Sequence, residues 1–178
     1  MTTTSVTRAL VLAATVVSGL FFSLDRALVV TPGWTHLSVQ AWASFSRHAD
    51  LGEGNIVYPL GGILTWALVF AAVISYSLER SRPRAAGPPI YLAALAALGA
   101  IATTIIAAPV MQHVGHIPDS DLTALHHAFS VFTLWGVYVR SAFFTLIFLS
   151  SVWALAAISL HQPSPAETCH PGTHGRNS

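Results

Sequence analysis

Four stretches of the chain are apolar over roughly the 20 residues that a helix needs to cross a bilayer core. They cover about 9–30, 56–78, 89–111 and 135–160. Polar residues gather between them, in 31–55, 80–84 and 112–121, and dominate after Leu160. The pattern predicts four membrane-spanning helices. A cleaved leader is the rival reading of the first stretch. Its apolar run is long, however, no small-residue cleavage site stands out, and apolar residues resume after Asp25-Arg26.

The connections carry their own signals. Behind Pro32-Gly33, the residues Trp34, Leu37, Val39, Trp42 and Phe45 alternate with polar ones. This predicts a short interfacial helix with tryptophans at headgroup depth. Pro118-Asp119-Ser120-Asp121 reads as a turn and N-cap, from which a helix runs unbroken from Leu122 into the fourth span. Ala96, Ala100, Thr104 and Ala108 recur every four residues, a stripe of small side chains that lets backbones approach. Pro109 is expected to kink or end the third helix. The expected fold is all-α: one domain over 1–160, a membrane-embedded antiparallel four-helix bundle with a short interfacial helix after the first span. The Pro-, Gly-, Ser- and Thr-rich tail, 161–178, is expected to be a disordered cytoplasmic segment.

Composition narrows the class. The chain has 178 residues, 53% apolar and only 8% charged, with a mean hydropathy of +0.62. An ordinary soluble domain carries about 25% charge, so a disordered chain is excluded and a soluble enzyme disfavoured. Every basic residue is an Arg and the net charge is +1, which leaves no basic surface for nucleic acid. The single Cys169 lies in the tail and has no partner for an intramolecular disulfide. Arg8, Arg80, Arg82, Arg84 and Arg176 mark one side of the membrane, whereas the opposite loops hold Arg47 among Asp50, Glu53, Asp119 and Asp121. The basic bias predicts a multi-pass protein of the cell membrane with both termini cytoplasmic.

Orientation converts sequence position into depth. Asp25 stands about 24 Å along the first span from Ala9, and Arg140 about 30 Å up the fourth from Leu160, at 1.5 Å per residue. Tyr58, Gln112, His113 and His116 belong to the same outer end. Ionisable residues within a membrane are costly and by default face the bundle interior or a wet cavity. On a regular helix His126, Ser130, Thr133 and Arg140 fall within about 80° of one another, with about 21 Å separating His126 from Arg140. A plainer reading makes Asp25, Arg26 and Arg140 snorkelling interfacial charges and Trp34, Trp42 and Trp135 belt residues. The histidines raise the idea of a metal. Yet Gly115 and Pro118 interrupt the helix around His113 and His116, and no Cys or carboxylate cluster completes a ligand set. Haem needs axial histidines on facing spans, and the span cores hold none. No metal or cofactor is expected; a Zn or non-haem Fe site assembled from three of the histidines is the alternative.

Several short segments resemble the small four-helix membrane proteins related to anthrone oxygenases. They are Ser18-Gly19-Leu20-Phe21-Phe22-Ser23, Asn55-Ile56-Val57-Tyr58-Pro59, Ala108-Pro109-Val110-Met111, and Trp135 followed five residues later by Arg140. The likeness covers most of 10–160; where relatives carry an Asn after the third-span Pro, this chain reads Val110-Met111-Gln112-His113. The resemblance implies a cofactor-independent oxygenase that converts a polycyclic phenolic substrate with O₂. His113 or His116 would be the base, Arg140 would stabilise the developing oxyanion, and Asp25 would orient Arg140. Phe21, Phe22, Trp34, Phe132 and Trp135 would stack on a flat substrate, with Tyr58, Gln112 and His126 beside it. The alternative is a non-catalytic membrane accessory protein that uses its small-residue faces for contact. A transporter would place its site near the midplane and a channel would repeat a polar pore face; neither pattern is present.

Overall fold

The computed structural model describes residues 3–20, 26–80 and 82–160, and every regular element among them is helical. The first span is described as α1 (Thr3–Leu20), whose apolar core is Ser5–Gly19. The chain is described again at a π-helical turn (Arg26–Val30), which leads into the short α2 (Thr31–Trp34). Ser38 then caps α3 (Val39–His48) by accepting a hydrogen bond from the Ala41 N–H, satisfying one of the donors that a helix start leaves bare. The polar 31–55 connection thus holds helix, as its pattern predicts, but in two pieces.

From α3 the chain does not leave the helical path. A π-helical turn (Ala49–Glu53) joins it to α4 (Gly54–Leu78), and only Gly52, at φ −78° and ψ −119°, departs from helical geometry. After the arginine loop comes α5 (Gly87–Val114), opened by Pro88 and Pro89 in its first turn, where a missing N–H is harmless. Pro109 sits inside α5 and does not end it; the helix runs on to Val114. Asp121 then caps α6 (Leu122–Val131) through the Ala124 N–H. A π-helical segment (Phe132–Val139) carries the chain into α7 (Arg140–Leu160). The run from Leu122 to Leu160 is helical throughout, as expected, but not uniformly α.

Three helical runs are long and apolar enough to cross a bilayer: Val39–Leu78, Arg84–Val114 and Leu122–Leu160. Their outward faces are apolar as well. Leu60, Leu95, Ile105 and Leu149 are more than half exposed, a surface that hydrocarbon stabilises and water does not. This is a helical membrane protein. Among the long helices, α1 packs on α4 and α7, and α5 packs on α7 and α4.

Small residues line the seams. Ala93, Ala96, Ala97, Ala100, Thr103 and Ala107 of α5 are buried, whereas Ala108 is exposed. The every-fourth-residue row expected from sequence holds at Ala96 and Ala100 and then turns away. Four residues make about 400° of helix, so such a row drifts by about 40° per step off a straight contact face. Gly99 completes the seam: the Phe143 ring of α7 occupies the space a Cβ there would need.

The end of the bundle that carries the arginine loop is tied by polar contacts. Thr7 and Ser75 share a hydrogen bond of 2.7 Å across α1 and α4, and Thr7 donates to the buried Glu79 carboxylate at 3.5 Å. Tyr76 donates to the Pro83 carbonyl at 2.9 Å, beneath the Arg82 guanidinium, which lies 5.5 Å from its ring centre.

Candidate functional site

The opposite end holds a cluster of aromatic residues. Trp34 of α2 and Trp42 of α3 are buried in one cluster with Met111 and Val114 of α5, Leu125 of α6 and Phe132. The Trp42 ring stands edge-on to Phe129 at 5.0 Å and tilted to Phe132 at 6.4 Å, and Trp34 meets Phe45 at 5.2 Å. Helix α3 is therefore a cap whose inner face, Val39, Trp42, Ala43 and Ser46, is buried and whose outer face carries Ser44, Phe45 and His48.

Arg47 fastens this cap. Its Nε donates to the Val114 carbonyl at 3.2 Å, its Nη2 to the Ile117 carbonyl at 2.6 Å, and its Nη1 to the Asp119 carboxylate at 2.6 Å. Val114 ends α5, so its carbonyl has no partner within the helix; a cation at a helix C-terminus also complements the dipole. One planar fork thus ties α3 to the 114–119 connection.

Beneath the cap the chain changes pitch. In the π-helical segment each N–H reaches back five residues instead of four, so successive residues rotate less than in an α-helix. Over eight residues, Phe132–Val139, this moves Arg140 out of the regular phase relation with His126 and Ser130 that a uniform α-helix predicts. Gly136 makes the segment compact: a Cβ there would stand 2.7 Å from the Phe132 ring and 3.1 Å from the Ala107 Cβ of α5. Arg140 follows at once, half-buried, as the first residue of α7.

The expected site residues separate into groups. Trp34 and Phe132 meet in the aromatic cluster, and Trp135 and Arg140 stand on the same π-to-α junction, Trp135 on its exposed side. Gln112, His113 and His116 are exposed at the end of α5, His126 is exposed on α6 and Tyr58 is exposed on α4. Asp25, Phe21 and Phe22 lie outside the described residues. Among the described residues no group of three His, Cys, Asp or Glu is arranged to hold a metal ion.

Sequence reasoning did not single out Trp42, Ser46, Arg47, Phe129 or Asp119 for this site. The signal for Arg47 was present, since it is the lone basic residue among the acids of the outer loops. Trp42 Nε1 and Ser46 Oγ are also buried here without a hydrogen-bond partner among the described residues. An unpaired buried donor costs about 1–3 kcal/mol.

A cavity of about 10 Å³ lies among Val11, Ala14, Val69, Ala72, Ile90, Ala93, Ser151 and Ala154. That is room for about one water, away from the aromatic cluster. Comparison with protein-family models, with curated proteins and with solved structures finds no match for this chain.

Proposed function

We propose that the chain is a four-span protein of the cell membrane, an antiparallel bundle with both termini cytoplasmic, that binds a flat phenolic aromatic molecule at its outer end and oxidises it with O₂. The observation that supports this is the pairing, at one end only, of an aromatic cluster (Trp34, Trp42, Phe129, Phe132) with the half-buried Arg140 across a π-helical junction. π segments inside helices are frequent at functional sites, and this one separates the aromatic walls from the only arginine of the fourth span. The resemblance to anthrone oxygenases adds the reaction class.

The chemistry needs few groups. A C–H between aromatic rings loses its proton to His113 or His116, and Arg140 holds the anionic oxygen of the conjugated anion. The carbanion passes electrons to O₂ and forms a C–O bond. The resulting hydroperoxide then loses water, so a CH₂ and O₂ become a carbonyl and H₂O. Purified protein in detergent with anthrone should take up O₂. Arg140→Ala should slow this by about 10²-fold or more, the scale of a lost oxyanion donor. His113→Ala or His116→Ala, whichever is the base, should slow it by about 10²- to 10⁴-fold.

A second reading, a non-catalytic accessory protein, draws support from the closed cap and from His113 and His116 standing exposed outside the aromatic cluster. Wild-type protein that takes up no more O₂ than the detergent blank decides for it.

A further inference from the structure

We infer that the underside of the α3 cap receives the carbonyl oxygen of a lipophilic molecule, held by Trp42 Nε1–H and Ser46 Oγ–H. The inference rests on the outer-end site proposed above and assigns it a polar anchor.

The two groups are four residues apart, so they lie one turn apart on a single face of α3. Trp42 is 1% exposed and Ser46 0% exposed, yet neither polar atom has a partner among the described residues. Thr31, Trp66 and Ser150 also bury a polar atom without a partner among the described residues, each on a different element, whereas Trp42 and Ser46 share one face of one helix. Thr15, Thr65, Thr104 and Thr145 each settle their hydroxyl on the carbonyl four residues back, a habit of helical hydroxyls; Ser46 does not. The indole N–H has no such recourse because it is a donor only.

The surroundings define what fits. The cap's inner face meets Phe129, Phe132, Val114 and Leu125, walls without a side-chain acceptor; the buried Asp50 carboxylate follows one turn beyond Ser46 and has contacts of its own. Arg47, on the same helix, is committed to Val114, Ile117 and Asp119. Two neutral donors between apolar walls match one neutral oxygen with two lone pairs, carried on an apolar and preferably flat body. A carbonyl of a dissolved aromatic ketone or quinone has that chemistry, and so has the ester carbonyl of a lipid. Entry requires a rotation at Gly52, the residue with non-helical geometry between α3 and α4, together with release of the Arg47 fork.

Anthraquinone and anthracene share a shape and differ in the carbonyls, and neither turns over. Equilibrium binding of each to the full chain in an alkyl maltoside, which has no ester, tests the inference. Wild type should bind anthraquinone at least about tenfold tighter than anthracene, the scale of a buried hydrogen bond made or left unmade. Trp42→Phe and Ser46→Ala should each shrink that ratio about tenfold without lowering the thermal midpoint. Equal affinities in wild type overturn the inference. So does a ratio unchanged in both variants, which would mean that the indole is satisfied by the face of an adjacent Phe ring. Displacement of anthraquinone by a diester phosphatidylcholine but not by its diether analogue assigns the anchor to a lipid carbonyl. Displacement by neither assigns it to the free aromatic ketone, and equal displacement by both overturns it. The oxidation reading is separable: anthraquinone selectivity without O₂ uptake leaves this inference standing, and O₂ uptake without selectivity leaves only the reaction.

Discussion

The Arg47 guanidinium meets two backbone carbonyls and one carboxylate, and these partners are not equal in weight. Asp119 is largely exposed, with 65% of its side chain accessible, so its ion pair is screened and Asp119→Asn should change stability by less than about 1 kcal/mol. The two carbonyls are different: that of Val114 keeps a long backbone bond of 3.4 Å from the Ile117 N–H once the fork is gone, while the short bond to the Ile117 carbonyl is lost outright. Arg47→Ala should therefore destabilise the protein by about 1–3 kcal/mol, read from thermal unfolding in detergent. Arg47→Lys should recover only part of this, since an ammonium cannot span three acceptors in one plane. A large loss in Asp119→Asn and none in Arg47→Ala would reverse this ranking. None of this follows from the sequence alone. It shows where Arg47 stands in the charge pattern, but the backbone carbonyls that receive it exist only once α5 ends and the chain turns back.

At the scale of helices, the contact that dominates the bundle is the seam of α5 against α7. Gly99 and Phe143 interlock there, with the ring occupying the space of the absent side chain. Gly99→Leu should separate the two helices and reduce the folded yield sharply, since overpacked cores cost about 1–3 kcal/mol or more. Combining Gly99→Leu with Phe143→Ala should recover much of that loss, and monodispersity on size exclusion reports both. Failure of the double variant to improve on the single one removes the seam from the explanation.

Helices are also where the sequence is most readable. Long apolar runs leave a helix as the only structure that satisfies its own backbone in hydrocarbon, so α4, α5 and the Leu122–Leu160 run follow from composition. The small residues of α5 are legible as a class, whereas their exact face is not, because an every-fourth row and a helix turn differ by about 40° per step. The π-helical pitch of Phe132–Val139 leaves no mark in its residue types. It coincides with the close approach of Phe132 to Gly136 within the segment and of Gly136 to Ala107 of α5, contacts that a sequence pattern does not record. For the same reason the aromatic cluster is legible only in part: Trp34 and Phe132 stand out in the sequence, and their meeting with Trp42 and Phe129 depends on where α3 lands.

For the molecule as a whole, the arginine bias makes a topological claim that the single Cys169 can test. In intact cells an impermeant maleimide should leave Cys169 unlabelled and react only after permeabilisation. Ser120→Cys in a Cys169→Ser background should show the opposite. Labelling of both from outside would place the tail on the wrong side for the proposed orientation.

Because Val39–Leu78 is one rod with a joint at Gly52, the piece that closes the outer end is not a loop tethered at both ends by slack chain. It is a short lever whose long arm is embedded among the other helices. Whatever seats beneath that lever acts first on the joint at Gly52 and on the Arg47 fork, the two points that fix the short arm.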